Sequence, residues 1–148
     1  MTEYWFYHLE MSSVEAVLPG LLQKSRERGW RALVKLPASR LDEMDKYLWT
    51  YQADSFLPHG RSDEPLSDQQ PIVLSSDAVS PLGAEIVILI EGETLENLDG
   101  VIRCITLING RNDDHVQAAR DQWASLKQKE AEMSYWTQND EGRWQKLS

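Results

Sequence analysis

The stretch EIVILI, residues 85–90, constrains this chain more than any other. Its last five residues, Ile86 to Ile90, are all apolar, so no side of the segment is left for water. A strand exposed on one face alternates apolar and polar side chains. A strand that is apolar throughout is covered on both faces, as in a parallel sheet with helices on either side. GVIRCITLI, about residues 100–108, reads as another strand. YWFYHL (4–9), WRALVKL (30–36) and PIVLSS (71–76) are further strand candidates, rich in β-branched and aromatic residues.

Helical patterns fall between them. Ser12 and Ser13 offer a cap for Val14, Val17, Leu18, Leu21 and Leu22, which repeat at helical spacing until Gly29. Pro19 within this pattern is expected to kink the helix or delay its start. Pro37 and Ser39 lead into a second helix, about Arg40–Tyr51, with Leu41, Met44 and Leu48 as its apolar stripe. Residues 58–71, with Pro58, Gly60, Pro65 and Pro71, read as a loop, and EGETLENLDG as an acidic turn. Asn112 and Asp113 are cap candidates for a helix over about His115–Glu132. The end of the chain, SYWTQ and RWQKL around NDEG, predicts a hairpin or an extended tail. Strands alternating with helices over 148 residues predict one α/β domain, residues 1–148, built on a largely parallel sheet.

Several kinds of chemistry are missing from the sequence. No two of the eight glycines lie two residues apart, so there is no G-x-G-x-x-G turn, and no Gly-Lys pair makes a phosphate loop. His8, His59 and His115 have no metal-ligand spacing, and no serine sits in a G-x-S-x-G elbow. Asp113–Asp114 and Asp42–Glu43 read as caps and solvated charges. Cys104, the single cysteine, lies in an apolar strand and reads as a small core residue. No run approaches the roughly 18 residues of a membrane span. MTEYWFYHLE lacks the basic start of a secretory signal, so a reducing cytoplasm is expected.

The net charge is −9, which argues against strong direct binding of nucleic acid. The charge is uneven: residues 1–115 carry ten basic and nineteen acidic groups, residues 116–148 five of each. An acidic partner meets the least repulsion at the C-terminal part.

LDEMDKYLWTYQADSFLPHG, residues 41–60, places Trp49, Tyr51 and Phe56 around a helix end and a loop, with neither strand nor helix periodicity. This segment resembles the chi subunit of bacterial DNA polymerase III holoenzyme. Its Leu41-Asp42, Leu48-Trp49 and Ser55-Phe56-Leu57-Pro58-His59 match the family's helix-and-loop element. FYHL, GWRALV, PIVLSS, AARDQWASLK and YWTQNDEGRW follow the family in order, so the resemblance spans essentially the whole chain. It implies a Rossmann-like fold without a nucleotide-binding glycine loop, no catalysis, and no cofactor or metal. It also implies partners: the psi subunit of the clamp loader, the C-terminal tail of single-stranded-DNA-binding protein and, in some bacteria, a helicase-like repair protein on the surface used for psi.

Two surfaces are candidates for these partners. In the first, Trp49 lies about 80° from Leu41 on the helix, at the flank of the apolar stripe, and Phe56 follows in a loop stiffened by Pro58. These residues either close the domain or anchor a partner. The resemblance assigns Trp49, Phe56, Leu57 and Pro58 to the psi or helicase-like interface. In the second, Arg120, Trp123 and Lys127 share one face of a helix within about 60°. Two cations beside an indole suit an acidic peptide that ends in a carboxylate after an apolar side chain. Trp123 fits equally well in a buried stripe with Val116, Ala119 and Leu126. The family often has a lysine directly after this aromatic, where this chain has Ala124. Two other readings are a nucleotide-binding protein or enzyme of the same architecture, and a direct single-strand binder stacking bases on Trp and Tyr.

Overall fold

The computed structural model describes residues 2–9, 13–50, 60–61, 71–76, 83–93, 98, 100–138 and 143–147. Among these, eight strands and three α-helices alternate along the chain. They are β1 Glu3–Leu9, α1 Val14–Glu27, β2 Ala32–Lys35, α2 Leu41–Thr50, β3 Gly60–Arg61, β4 Ile72–Ser75, β5 Ile86–Ile90, β6 Arg103–Asn109, α3 Asp113–Gln128, β7 Glu132–Gln138 and β8 Trp144–Lys146. The strands form one sheet in the order β3-β4-β2-β5-β6-β1-β7-β8. Every pairing is parallel except β7 with β8, which is the expected terminal hairpin. The α/β class with a largely parallel sheet is therefore as expected.

The expectation drawn from EIVILI can be checked residue by residue. Ile86, Ile88 and Ile90 enter the core beneath α1 and α2. Val87 and Leu89 enter a second cluster with Leu33, Val73 and Cys104. Both faces of β5 are covered. β1 divides the same way: Tyr7 and Leu9 join the α1–α2 core, while Phe6 joins Ile108, Ala119 and Leu126 under α3.

Local chemistry places the helix ends. The Ser13 hydroxyl accepts the Ala16 N–H at 3.1 Å, so α1 begins at Val14 and Pro19 does not delay it. Asn112 accepts the His115 N–H at 3.1 Å, which puts Asp113 and Asp114 in the first turn of α3, where the helix dipole favours them. The helix expected to run to Glu132 ends at Gln128. The physical reason is the turn that follows: Glu130 adopts φ +56°, and the Ala131 N–H returns to the Leu126 carbonyl. Glu132 consequently opens β7 instead of closing α3. The segment expected to be loop throughout residues 58–71 contains the short β3, paired with β4 through Gly60↔Val73 and Arg61↔Leu74.

Charged groups tie the carboxyl end of β5 to its neighbours. Lys35, buried at the end of β2, pairs with Glu93 at 3.4 Å. Arg40 joins Glu91 at 2.7 Å, Glu43 at 2.9 Å and Glu15 of α1. No helix among the described residues is long and apolar enough to cross a membrane.

Candidate functional site

α3 packs over β6, and its Trp123 reaches the rings of Phe6 on β1 and Tyr135 on β7. The indole meets Phe6 edge-on at 5.3 Å and 78°, and Tyr135 edge-on at 5.5 Å and 86°. Phe6 and Tyr135 are stacked at 6.2 Å, and the Tyr135 hydroxyl lies 2.9 Å from His8 Nδ1. Edge-to-face pairs of this kind fix ring orientation as well as burying area. Trp123 is half-buried, so it belongs both to the apolar stripe and to the surface.

Arg120 and Lys127 flank it, fully on the solvent side, and among the described residues neither has an ion-pair partner. Ala124, also exposed, lies between them on the i, i+4 and i, i+3 rows. The face thus carries two exposed cations, unpaired among the described residues, and an indole held by two ring contacts. Asp121 points its carboxylate away into a hydrogen bond with Gln117 at 3.0 Å. The structure brings together all three residues the sequence placed on this helix. Of the other set, Phe56, Leu57 and Pro58 lie outside the described residues, as does the Trp49 side chain.

Open α/β sheets bind nucleotides outside the carboxyl ends of their strands. Among the described residues, that edge is closely packed between the ends of β1 and β6. Gly110 packs so closely at the ends of β1 and β6 that an added Cβ would meet the His8 ring and lie 2.8 Å from the Leu9 carbonyl. Its N–H donates to that carbonyl at 2.8 Å. Between the start of α3 and β5–β6, a hollow beside Gly92, Thr106 and His115 measures about 10 Å³. That is about the space of one water. Cys104 is enclosed too, and burial pushes its thiol up to about 12, so it stays protonated and inert.

Sequence reasoning missed a cleft at the opposite, amino edge of the sheet. It brings together Trp5 of β1, Lys24 and Arg28 at the end of α1, Trp30, and Arg103 at the start of β6. One signal was available: Arg103 is a cation inside an otherwise apolar strand, VIRCITLI.

The matched family is decided by comparison with known sequences. The family model for the DNA polymerase III chi subunit, HolC, matches residues 1–134. The chain belongs to the DNA polymerase III chi subunit family. A relative from Rickettsia prowazekii (strain Madrid E), named probable DNA polymerase III subunit chi, is 22% identical over 159 residues, covering 100% of this chain and 93% of its own. Members of the family are accessory, non-catalytic subunits of DNA polymerase III.

Proposed function

We propose that this chain, residues 1–148 acting as one cytoplasmic domain, is the chi adaptor that links the clamp loader, through psi, to the C-terminal tail of single-stranded-DNA-binding protein. The observation that carries the reading is the α3 face: Arg120 and Lys127, exposed and without an ion-pair partner among the described residues, on either side of a half-buried Trp123. A tail that is acidic and ends in a carboxylate after an apolar residue finds two cations, and an indole for that residue to lie against. Because the indole is seated against Phe6 and Tyr135 before the peptide arrives, little side-chain freedom is lost on binding. The neutral balance of residues 116–148 removes the repulsion that the rest of the chain would impose.

Trp49, Phe56, Leu57 and Pro58 are the proposed anchors for psi or a helicase-like repair protein. Trp49 and Phe56 are of the large aromatic residue types that dominate binding energy at interfaces.

The test is fluorescence anisotropy of the labelled tail peptide with the wild-type chain, Arg120→Ala and a peptide lacking its last residue. Binding that weakens with salt, with the substitution and with the truncation supports the reading. No binding at low salt overturns it and leaves the Trp49–Pro58 segment as the principal docking surface.

A further inference from the structure

The amino-edge cleft has the features of a ligand site. Its floor is apolar, from Leu21 of α1, Ile86 of β5 and Ile105 of β6. The Arg103 guanidinium lies 3.7 Å from the Trp5 ring centroid and 5.4 Å from that of Trp30, while Arg28 lies 5.0 Å from Trp30 on the same ladder. The Arg103 side chain is only 14% exposed, and its nearest carboxylate, Glu3, stands 3.8 Å from Nη2. Glu3 is also engaged by the Trp5 indole N–H at 3.2 Å. Arg103 Nε is buried with no hydrogen-bond partner among the described residues.

Such an arrangement leaves charge unbalanced. Lys24, Arg28 and Arg103 converge on the cleft, and among the described residues Glu3 is the carboxylate paired with them. Burial, with repulsion from Arg28 added, lowers the Arg103 pKa against the pull of Glu3. Lys24 and Arg28 complement the C-terminal dipole of α1, but Arg103 comes from β6 and the dipole does not explain it. A dianion matches the excess of about two positive charges better than a single carboxylate does. The cavity measures about 160 Å³. That is comparable to the roughly 150 Å³ that admits one six-membered ring.

We propose that this cleft binds a phosphate monoester carrying one planar ring, a nucleoside 5′-monophosphate being the simplest, whether free or at the end of a DNA strand. The phosphate sits among Arg103, Arg28 and Lys24, which line the cleft together. The ring lies against Leu21, Ile86 and Ile105.

The experiment is calorimetric titration of the whole chain with thymidine 5′-monophosphate, thymidine, inorganic phosphate, and a short thymidine oligonucleotide with and without a 5′-phosphate. The monophosphate is expected to bind, with thymidine and phosphate each at least about tenfold weaker. Arg28→Ala and Lys24→Ala, both exposed positions, should each weaken binding by roughly tenfold, the loss typical of a charge-assisted contact. Their thermal unfolding should shift by no more than a few degrees, and Arg120→Ala should bind like the parent. Competition by the 5′-phosphorylated oligonucleotide but not its 5′-hydroxyl twin supports the strand end as source; monophosphate binding without such competition supports the free nucleotide. Absence of monophosphate binding at millimolar concentration overturns the proposal. So does equal affinity for inorganic phosphate, or indifference to both substitutions.

Discussion

The α3 face and the amino-edge cleft use the same residue types, arginine, lysine and tryptophan, and differ in how they are assembled. On α3, Arg120, Trp123 and Lys127 come from two turns of one helix, and both cations remain in water. In the cleft, the cations come from α1 and β6, the indoles from β1 and the approach to β2, and Arg103 is pressed between two rings. An exposed cation retains its hydration until a partner replaces it, so it contributes to encounter and specificity at small cost to the fold. A buried one has already lost water and holds its charge by ring faces and a distant carboxylate. The first surface suits a mobile acidic chain end. The second suits a compact ligand that reaches into the fold.

The largest expected effect separates the two directly. Phe6→Ala removes the fully buried ring on which Trp123 rests and should cost about 3–5 kcal/mol, read by urea unfolding. In the fraction that stays folded, tail binding should be lost while the cleft, on the other face of β1, retains its ligand affinity. Loss of both together would show that the two regions are not independent.

Alkaline pH tests the scaffold they share. The Cys104 thiol is raised in the fold, to about 12, above an unfolded value of about 8.5. The folded state therefore holds its proton longer, so stability is fully present below about pH 8.5 and falls as pH rises toward the folded value. By pH 10 the loss should be about 2 kcal/mol, and Cys104→Val should remove that part of the slope. Burial raises Tyr4 and Tyr7 too, so a shallower decline of the same sign should persist at higher pH.

Arg120→Ala should lower tail affinity about tenfold and leave stability within about 0.5 kcal/mol, since the side chain is exposed and unpaired among the described residues. A matching fall in stability would mean that Arg120 serves the fold. Ala124→Lys should raise tail affinity by a few-fold, steeply dependent on salt, because it places a third cation on the face. Lys127→Ala should give the smallest change, roughly two- to threefold weaker binding. Parent-like affinity in that variant would remove Lys127 from the site.

How much of this was legible follows from where the information lies along the chain. The uninterrupted apolar run of β5 announced burial on both faces, and the strand–helix alternation announced the parallel sheet, because side-chain periodicity is local. Spacing of three and seven residues was enough to put Arg120, Trp123 and Lys127 together, since one helix fixes their relation without help from the rest of the fold. Spacing could not say how far Trp123 is buried. That depended on Phe6, 117 positions away, and on Tyr135 of the next strand. The end of α3 escaped as well, because its helical pattern continues past the point where Glu130 turns the chain into β7.

What the sequence determined by itself, then, was each element's character and the residues that one element can align. Only the tertiary structure decided that Trp5, Arg28, Trp30 and Arg103 meet, because parallel pairing in the order β5-β6-β1 brings the starts of three strands to one edge beneath the end of α1. No local spacing encodes that meeting. It is a consequence of parallel pairing, which runs each of these strands in the same direction.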